Sequence, residues 1–411
     1  MTLRQAEILE RTLDCVHCGL CLSSCPTYRE TGREPSSPRG RIYLFRGVAE
    51  GRIGLDADVA SEAHLCLGCR ACETACPSGV EYGRLLELVR ADVADAGRRS
   101  GAVARFERLL LRRVVPHPRR LRALLGLLGL AQRLGLERLA RRVSPAGLRH
   151  ALDLLPQVPR GAQCQPLPAR VPAQGERRGS VGFFVGCVMP HLFGDVNAAT
   201  VRVLTANGFD VEVPPNQGCC GALHAHAGDE TFAHELARKN VAALAGLDAV
   251  IVNSAGCGAA LRDAAHWLPG VAESLAASIR DVSEFLAEVG LRAPRARLDL
   301  RVCYDDPCHL VHGQGVAAAP RELLRAIPGV TLVDHAEPGA CCGAAGTYNL
   351  TQPAMSNAVL ARKLDALEAA APDVVATGNP GCLLQLRAGA RSRGLDFRVE
   401  HPMALLDAAY A

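Results

Sequence analysis

Lysine is nearly absent from this chain of 411 residues. Of its 46 basic residues only Lys239 and Lys363 are lysine, an imbalance that coding bias explains more simply than any need for guanidinium groups. No window reaches the roughly 18 uninterrupted apolar residues that a spanning helix requires, so the chain is not expected to cross a bilayer on its own. The stretch from Met1 to Thr12 is charged and has no apolar core of the kind a secretory leader carries, which makes a reducing cytoplasm the expected setting. Also missing is a G-x-G-x-x-G turn between a strand and a helix. Gly343-Ala-Ala-Gly346 is too short to stand in for it, and no convincing dinucleotide or flavin site is left. No nucleic-acid partner is expected.

What the chain does have is cysteine, eighteen in all. Cys15 to Pro26 and Cys66 to Pro77 are two copies of C-x2-C-x2-C-x3-C-P, the spacing of bacterial two-cluster ferredoxins. Two-residue gaps let tight turns aim three sulfurs at one cubane cluster, and the fourth cysteine, followed by proline, faces the other cluster. The expected ligands of one [4Fe-4S] cluster are therefore Cys15, Cys18, Cys21 and Cys76, and those of the second Cys66, Cys69, Cys72 and Cys25. Zinc sites seldom use three cysteines at this pitch.

The expected architecture is α+β and multidomain. Residues 1–97 form an α-helical dicluster domain, with helices over Thr2 to Asp14 and Tyr82 to Ala96 and a helix start after Ser37-Pro38. In that turn, Arg39 and Arg41 are read either as solvated or as lying near a partner or a cluster sulfur. Residues 98–155 are a basic helical segment. Between Arg98 and His150 fourteen Arg face two Glu, a local +12 in a chain whose net charge is +4. Pro116-His117-Pro118 splits it, and the second piece is expected to be one amphipathic helix, with Arg119, Arg120, Arg122, Arg133, Arg138, Arg141 and Arg142 on one arc. Leu121, Leu125, Leu128, Leu136 and Leu139 fall on the other. Such a helix suits an anionic membrane surface, an acidic partner or its own protein. Residues 156–179 are a Pro-rich linker in which Cys164 has no assigned role.

Residues 180–297 and 298–411 are an internal duplication, expected as two pseudo-symmetric α/β lobes. Strand-like runs alternate with helical ones, and equivalent cysteines recur: Cys187, Cys219, Cys220 and Cys257 in the first copy, Cys308, Cys341, Cys342 and Cys382 in the second. Adjacent cysteines before a glycine do not form an ordinary unstrained disulfide with each other. Two readings stand open for these eight. They hold a further iron–sulfur cluster, or they are redox thiols or small buried hydrophobes. His224, His226 and His309 beside them read as auxiliary ligands, proton carriers or residues satisfied by backbone, and Cys303 as core.

Together these strings resemble the iron–sulfur subunit of glycolate oxidase over essentially the whole chain. The residues that carry the resemblance are Cys-Val-His-Cys-Gly-Leu-Cys at 15–21, Ser-Pro-Arg-Gly-Arg-Ile-Tyr at 37–43, Cys-Leu-Gly-Cys-Arg-Ala-Cys at 66–72 and Cys-Cys-Gly-Ala-Leu-His-Ala-His-Ala-Gly at 219–228. The resemblance implies a subunit of an oxidoreductase complex acting on a 2-hydroxyacid. Partner flavin subunits would oxidise glycolate to glyoxylate, and this chain, itself without flavin and not catalytic alone, would pass electrons to a quinone or another acceptor. The implied location is cytoplasmic, with peripheral contact to the inner membrane. Equivalent subunits of lactate or anaerobic glycerol-3-phosphate dehydrogenases share the architecture. The Cys-Cys-Gly regions also resemble heterodisulfide reductase, an alternative thiol-redox role. The closing Cys-x-x-Cys of that pattern is absent at Cys257-Gly-Ala-Ala and Cys382-Leu-Leu-Gln.

Overall fold

A computed structural model describes residues 2–99, 101–145, 152–159 and 166–411; Cys164 lies outside them. Helix propensity and capping set the first region. Thr2 accepts from the Gln5 N–H while the Gln5 side chain accepts from the Thr2 N–H, a capping box that starts the helix Leu3–Leu13. Ser37 caps Pro38–Ala49, with proline at the first helical position. These helices pack with Ala57–Leu65 and Tyr82–Asp95 around Ile8, Ile42, Phe45, Leu85 and Leu88. The cysteine runs are held on this helical frame.

The basic segment differs from its expected form. After Ala102–Arg113 and the Pro-His-Pro break, the second piece is two helices, Pro118–Arg133 and Leu136–Val143. Gly135 interrupts it at φ +71°, a left-handed conformation that glycine adopts cheaply. The two faces also differ from a simple apolar-in, basic-out division. Leu121 and Gly129 are buried, but Leu124, Leu127, Leu130 and Leu134 join the arginines outside.

The duplicated half holds two sheets. Strands β1 (Arg170–Val171), β2 (Gly179–Phe184), β3 (Phe209–Glu212), β4 (Val250–Val252) and β5 (Ile279–Asp281) run in the order β1-β3-β2-β4-β5. Strands β6 (Leu300–Tyr304), β7 (Val330–Val333), β8 (Val374–Ala376) and β9 (Arg398–Glu400) run β7-β6-β8-β9. Every pairing is parallel except β1 with β3, so the second sheet repeats β3-β2-β4-β5. The strand β1, inside the Pro-rich stretch, is the one addition.

The lobes share one core, with Val211, Ile251, Val302, Val374 and Met403 in a single buried cluster. Helix Gly194–Ala206 of the first lobe packs on helix Pro402–Tyr410 of the second, and Val282–Val289 packs on Ala318–Arg325. That exchange of equivalent helices is what a pseudo-twofold requires. The fold is thus a helical ferredoxin-like region followed by a duplicated α/β region.

Candidate metal centres and thiol chains

Each cysteine run turns the same way. His17 and Gly19 in the first run, and Gly68 and Arg70 at the equivalent places in the second, all have left-handed φ, between +56° and +84°. Two such reversals in five residues curl the backbone so that three sulfurs face one side. Cys15, Cys18, Cys21 and Cys76 line a cavity of about 30 Å³, which Cys72 also borders. Cys25, Cys66, Cys69 and Cys72 line a second, of about 20 Å³. The fourth cysteine of each run therefore meets the first three of the other.

The two cavities differ in their surroundings. Cys25, Cys66, Cys69 and Cys72 are all buried, whereas Cys18 is exposed and Cys15, Cys21 and Cys76 are half-buried. Burial pushes the Cys69 and Cys72 thiols well up, and those of Cys15 and Cys21 up as well. Thiols in such places give up their protons to a metal that replaces the charge, so the donor sets fit iron–sulfur clusters. Among the described residues no group of three His, Cys, Asp or Glu is spaced to hold a single metal ion.

Arg41 is not solvated. It is fully buried on the wall of the second cavity, where it donates to Glu62 O at 2.8 Å and Thr27 Oγ1 at 3.1 Å and pairs with Glu62 at 3.5 Å. Arg90, not singled out from sequence, is also buried and donates to the carbonyls of Ala63, Cys66 and His226. Two guanidinium groups thus stand beside the second cysteine set, one of them hydrogen-bonded to backbone alone. Arg39 is half-buried on the wall of the first cavity, where it pairs with Glu34 at 2.7 Å.

In the lobes, strand order places the other cysteines. Chain direction switches sides at β2 and at β6, each flanked by the strand that follows it on one side and a later strand on the other. In open α/β sheets the crevice beyond the strands' carboxyl ends at such a point is where ligands bind. Cys187 follows β2 and Cys308 follows β6; Cys257 and Cys382 open the helices Ala255–Trp267 and Pro380–Arg393, which follow β4 and β8. In the first lobe thiol contacts link Cys187 to Cys219, Cys219 to Cys220 and Cys220 to Cys257. The second repeats this from Cys308 to Cys341, Cys342 and Cys382, with 3.3 Å between the Cys342 and Cys382 sulfurs. Along each chain Cys219 and Cys257, then Cys308 and Cys342, are pulled below the ordinary thiol range by hydrogen bonds with neighbouring thiols.

The glycine after each pair has a geometric reason. Gly221 and Gly343 have φ +92° and +86°, and a Cβ on Gly343 would lie 2.6 Å from Ser356 O. Near the second pair, Lys363 is buried and donates at 2.6 Å to both Asp305 Oδ1 and Glu337 O. The Asp305 carboxylate holds its ammonium charged. Cys303 is core, with no exposure.

The dicluster region sits where the two lobes meet. Cys69, Cys341 and Tyr348 share one buried cluster, with Cys308 packed against it. Arg70 pairs with Asp263 at 2.9 Å and with Glu73 at 2.8 Å. Of the histidines, His224 donates from Nε2 to Leu111 O at 2.9 Å, while its Nδ1 has no hydrogen-bond partner and the ring helps to lower the Cys219 thiol. His309 Nδ1 lies 3.5 Å from the Cys308 sulfur, and its ring centroid is 5.2 Å from that of His226. The second cysteine run thus meets both lobes, while the first stays within the helical region's own core.

A helical pair of cysteine cavities joined to two cysteine-bearing α/β lobes defines an iron–sulfur redox protein. Comparison with known proteins agrees part by part: residues 11–80 match the 4Fe-4S dicluster domain, 181–262 and 302–387 each match the cysteine-rich domain, and 102–155 match the linker region of the glycolate oxidase iron-sulfur subunit. The probable glycolate oxidase iron-sulfur subunit of Bacillus subtilis is 40% identical over 403 residues, covering 94% of this chain and 91% of that one. The glycolate oxidase iron-sulfur subunit of Escherichia coli is 34% identical over 391 residues, 92% and 90% of the two chains. A subunit of the dihydromethanophenazine:CoB–CoM heterodisulfide reductase of Methanosarcina acetivorans is 28% identical over 422 residues, 95% and 92%. This chain belongs to the glycolate oxidase iron-sulfur subunit family.

Proposed function

We propose that this chain is the electron-transfer subunit of a flavin-dependent glycolate dehydrogenase or oxidase complex. Partner subunits carrying the flavin oxidise glycolate to glyoxylate, and the electrons leave through this chain to a quinone or another acceptor. Cys15, Cys18, Cys21 and Cys76 hold one [4Fe-4S] cluster and Cys25, Cys66, Cys69 and Cys72 the other. When bound, such clusters take and release electrons singly, which lets a two-electron flavin discharge in steps. The chain's own residues present the sulfurs and exclude water from the second set, and Arg41 and Arg90 bring positive charge against it.

The observation that carries this reading is the pair of adjoining cysteine cavities bordered in common by Cys72. The four-sulfur chains of the lobes are read as sites for a further cluster, supported by the order in which their thiols touch. The working division is 1–97, 98–155, 156–179, 180–297 and 298–411. No helix among the described residues is long and apolar enough to cross a membrane. The arginines and exposed leucines of the basic segment support a peripheral seat on the cytoplasmic face of the inner membrane.

An anaerobic iron and acid-labile sulfide count tests the ligand sets. About eight irons per chain are expected from two cubane clusters, and about twelve if a lobe binds another. The surplus should vanish when Cys219, Cys220, Cys341 and Cys342 are replaced. In the complex purified with its flavin subunits, glycolate should generate the reduced-cluster signal in electron paramagnetic resonance. Reduction by lactate or glycerol 3-phosphate in preference to glycolate would assign the subunit to those dehydrogenases instead, and disulfide-dependent oxidation of the isolated chain would favour a thiol-redox role.

A further inference from the structure

The sulfur chains of the two lobes stand differently toward the cysteine runs. In the second lobe Cys341 shares a buried cluster with Cys69 of the second run, and Cys308 packs against it. Cys308 is close enough to add to burial in pushing the Cys69 thiol up. Cys220 and Cys257 of the first lobe lie instead in an apolar cluster made of first-lobe residues. The ties of that lobe to the second run are polar. Arg90 donates to Cys66 O at 2.6 Å and to His226 O at 3.1 Å, and Arg70 pairs with Asp263.

The far end of the second-lobe chain meets the first lobe. Asn379, just before the helix that carries Cys382, donates from Nδ2 to the Cys382 sulfur at 3.5 Å. Its Oδ1 accepts from the N–H of Gly256, the residue before Cys257, at 3.1 Å. Beside it Gly378 O accepts from the Ala255 N–H at 3.1 Å. Gln314 donates to Ala255 O at 3.0 Å and to His309 O at 3.3 Å. The start of the helix Ala255–Trp267 is thus pinned to the segments that hold Cys308 and Cys382. The first-lobe equivalent of Asn379 is Ser254, a shorter side chain that acts on Cys257 of its own lobe.

Thiol contacts run from Cys308 through Cys341 and Cys342 to Cys382, and from Cys257 through Cys220 and Cys219 to Cys187. Joined at Asn379, they form one succession that begins beside Cys69. Single-electron transfer weakens steeply with separation, so the order of contacts sets the order of transfer.

We propose that the lobes act in series, the second taking electrons from the second cysteine set beside Cys308 and passing them across Asn379 to the first. Each transfer moves one electron from an iron–sulfur cluster at one sulfur set to an iron–sulfur cluster at the next. No bond forms or breaks and no proton moves. Asn379 is a positioning residue that holds the two helix starts together. The inference rests on the reading that the lobes hold clusters, and adds the order in which they work.

The test begins with iron content: four cubane sites give about sixteen irons per chain. In electron paramagnetic resonance of the loaded full chain reduced with dithionite, a second-lobe centre should broaden the dicluster signals. That contribution is expected to vanish in Cys341→Ser, Cys342→Ser and to persist in Cys219→Ser, Cys220→Ser. Rapid freeze-quench of the complex with its flavin subunits, mixed with glycolate, then reads the order. Replacing the second-lobe pair should slow reduction of the first-lobe centre at least tenfold, and replacing the first-lobe pair should leave the second-lobe rate unchanged. Asn379→Leu should keep every iron and slow the first-lobe centre several-fold. A fall of about four irons and no more shows that a pair variant is folded; Cys382→Ser, which leaves Cys308 and Cys341 in place, decides should the second-lobe pair fail this check. About twelve irons or fewer, loss of the broadening with the first-lobe pair instead, or first-lobe reduction indifferent to the second-lobe pair overturns the proposal. Glycolate failing to reduce the complex while the dithionite pattern holds sinks the functional reading alone, and glycolate reduction without that pattern sinks this inference alone.

Discussion

Glu87 shows how a single half-buried side chain couples the dicluster region to the first lobe. It accepts from Trp267 Nε1 at 3.0 Å, and burial pushes its carboxyl up to about 7, against 4.5 ordinarily. A carboxyl raised on folding adds stability that is fully present below the unfolded value and is lost as pH rises through the folded one. Stability should therefore fall between about pH 4.5 and about pH 7, by at most about 3 kcal/mol from this group. Trp267 is the only tryptophan, so its fluorescence should titrate with a midpoint near the Glu87 value. Glu87→Gln keeps an acceptor for the indole and carries no charge, and should abolish both the titration and this part of the stability loss. Equal urea midpoints for parent and variant at about pH 5 and about pH 8 would refute the assignment. The sequence did not mark Arg41 or Arg90 as buried, or Glu87 as half-buried. Their burial depends on partners twenty or more residues away, such as Ala63 O for Arg90 and Trp267 for Glu87, and no local pattern encodes such partners.

Among elements, the legible ones were those whose period or spacing is set locally. The helices after Thr2 and from Tyr82, and the helix start after Ser37-Pro38, match their sequence patterns closely. The missed strands, β5 and β9, have three residues each and read Ile-Arg-Asp and Arg-Val-Glu. They are edge strands whose single central or leading apolar residue gives no alternation to detect. The basic segment was misread for the opposite reason. Its leucine and arginine pattern runs straight through Gly135, while the backbone turns there. The Cys-Cys-Gly turn yields a sharper test of local geometry. Gly343→Ala adds left-handed strain and a contact with the Ser356 carbonyl, and should cost about 1–3 kcal/mol while separating Cys342 from Cys382. Gly246→Ala shares the strain, at φ +78°, but meets nothing within 4 Å, so it should cost about 1 kcal/mol. Thermal unfolding of the two variants separates clash from strain, and equal losses would dismiss the clash.

Across the whole molecule, the duplication was readable because the cysteines repeat, and the shared core was not. Repeated motifs announce two units, but only tertiary packing reveals that Val211 and Ile251 of one sheet share a cluster with Val302 and Val374 of the other. The lobes are therefore expected to unfold together. Removing residues 402–410, the helix that lies on Gly194–Ala206 and ties to it through the Arg202–Asp407 pair at 2.5 Å, should destabilise both. A single transition at lower denaturant in the truncated chain is the expected result, and selective loss of the second lobe would contradict it. The dicluster region is fastened to both lobes as well, through Arg70 to Asp263 and Tyr348 to Leu65.

The exchange of helices across the pseudo-twofold has an outcome in time as well as in space. Because Gly194–Ala206 packs on Pro402–Tyr410 as well as on β3, its outer face is covered only once the second lobe has been made. Cys220 and Cys257 sit in an apolar cluster built from the first lobe alone, so their surroundings form earlier than the face that the second lobe covers.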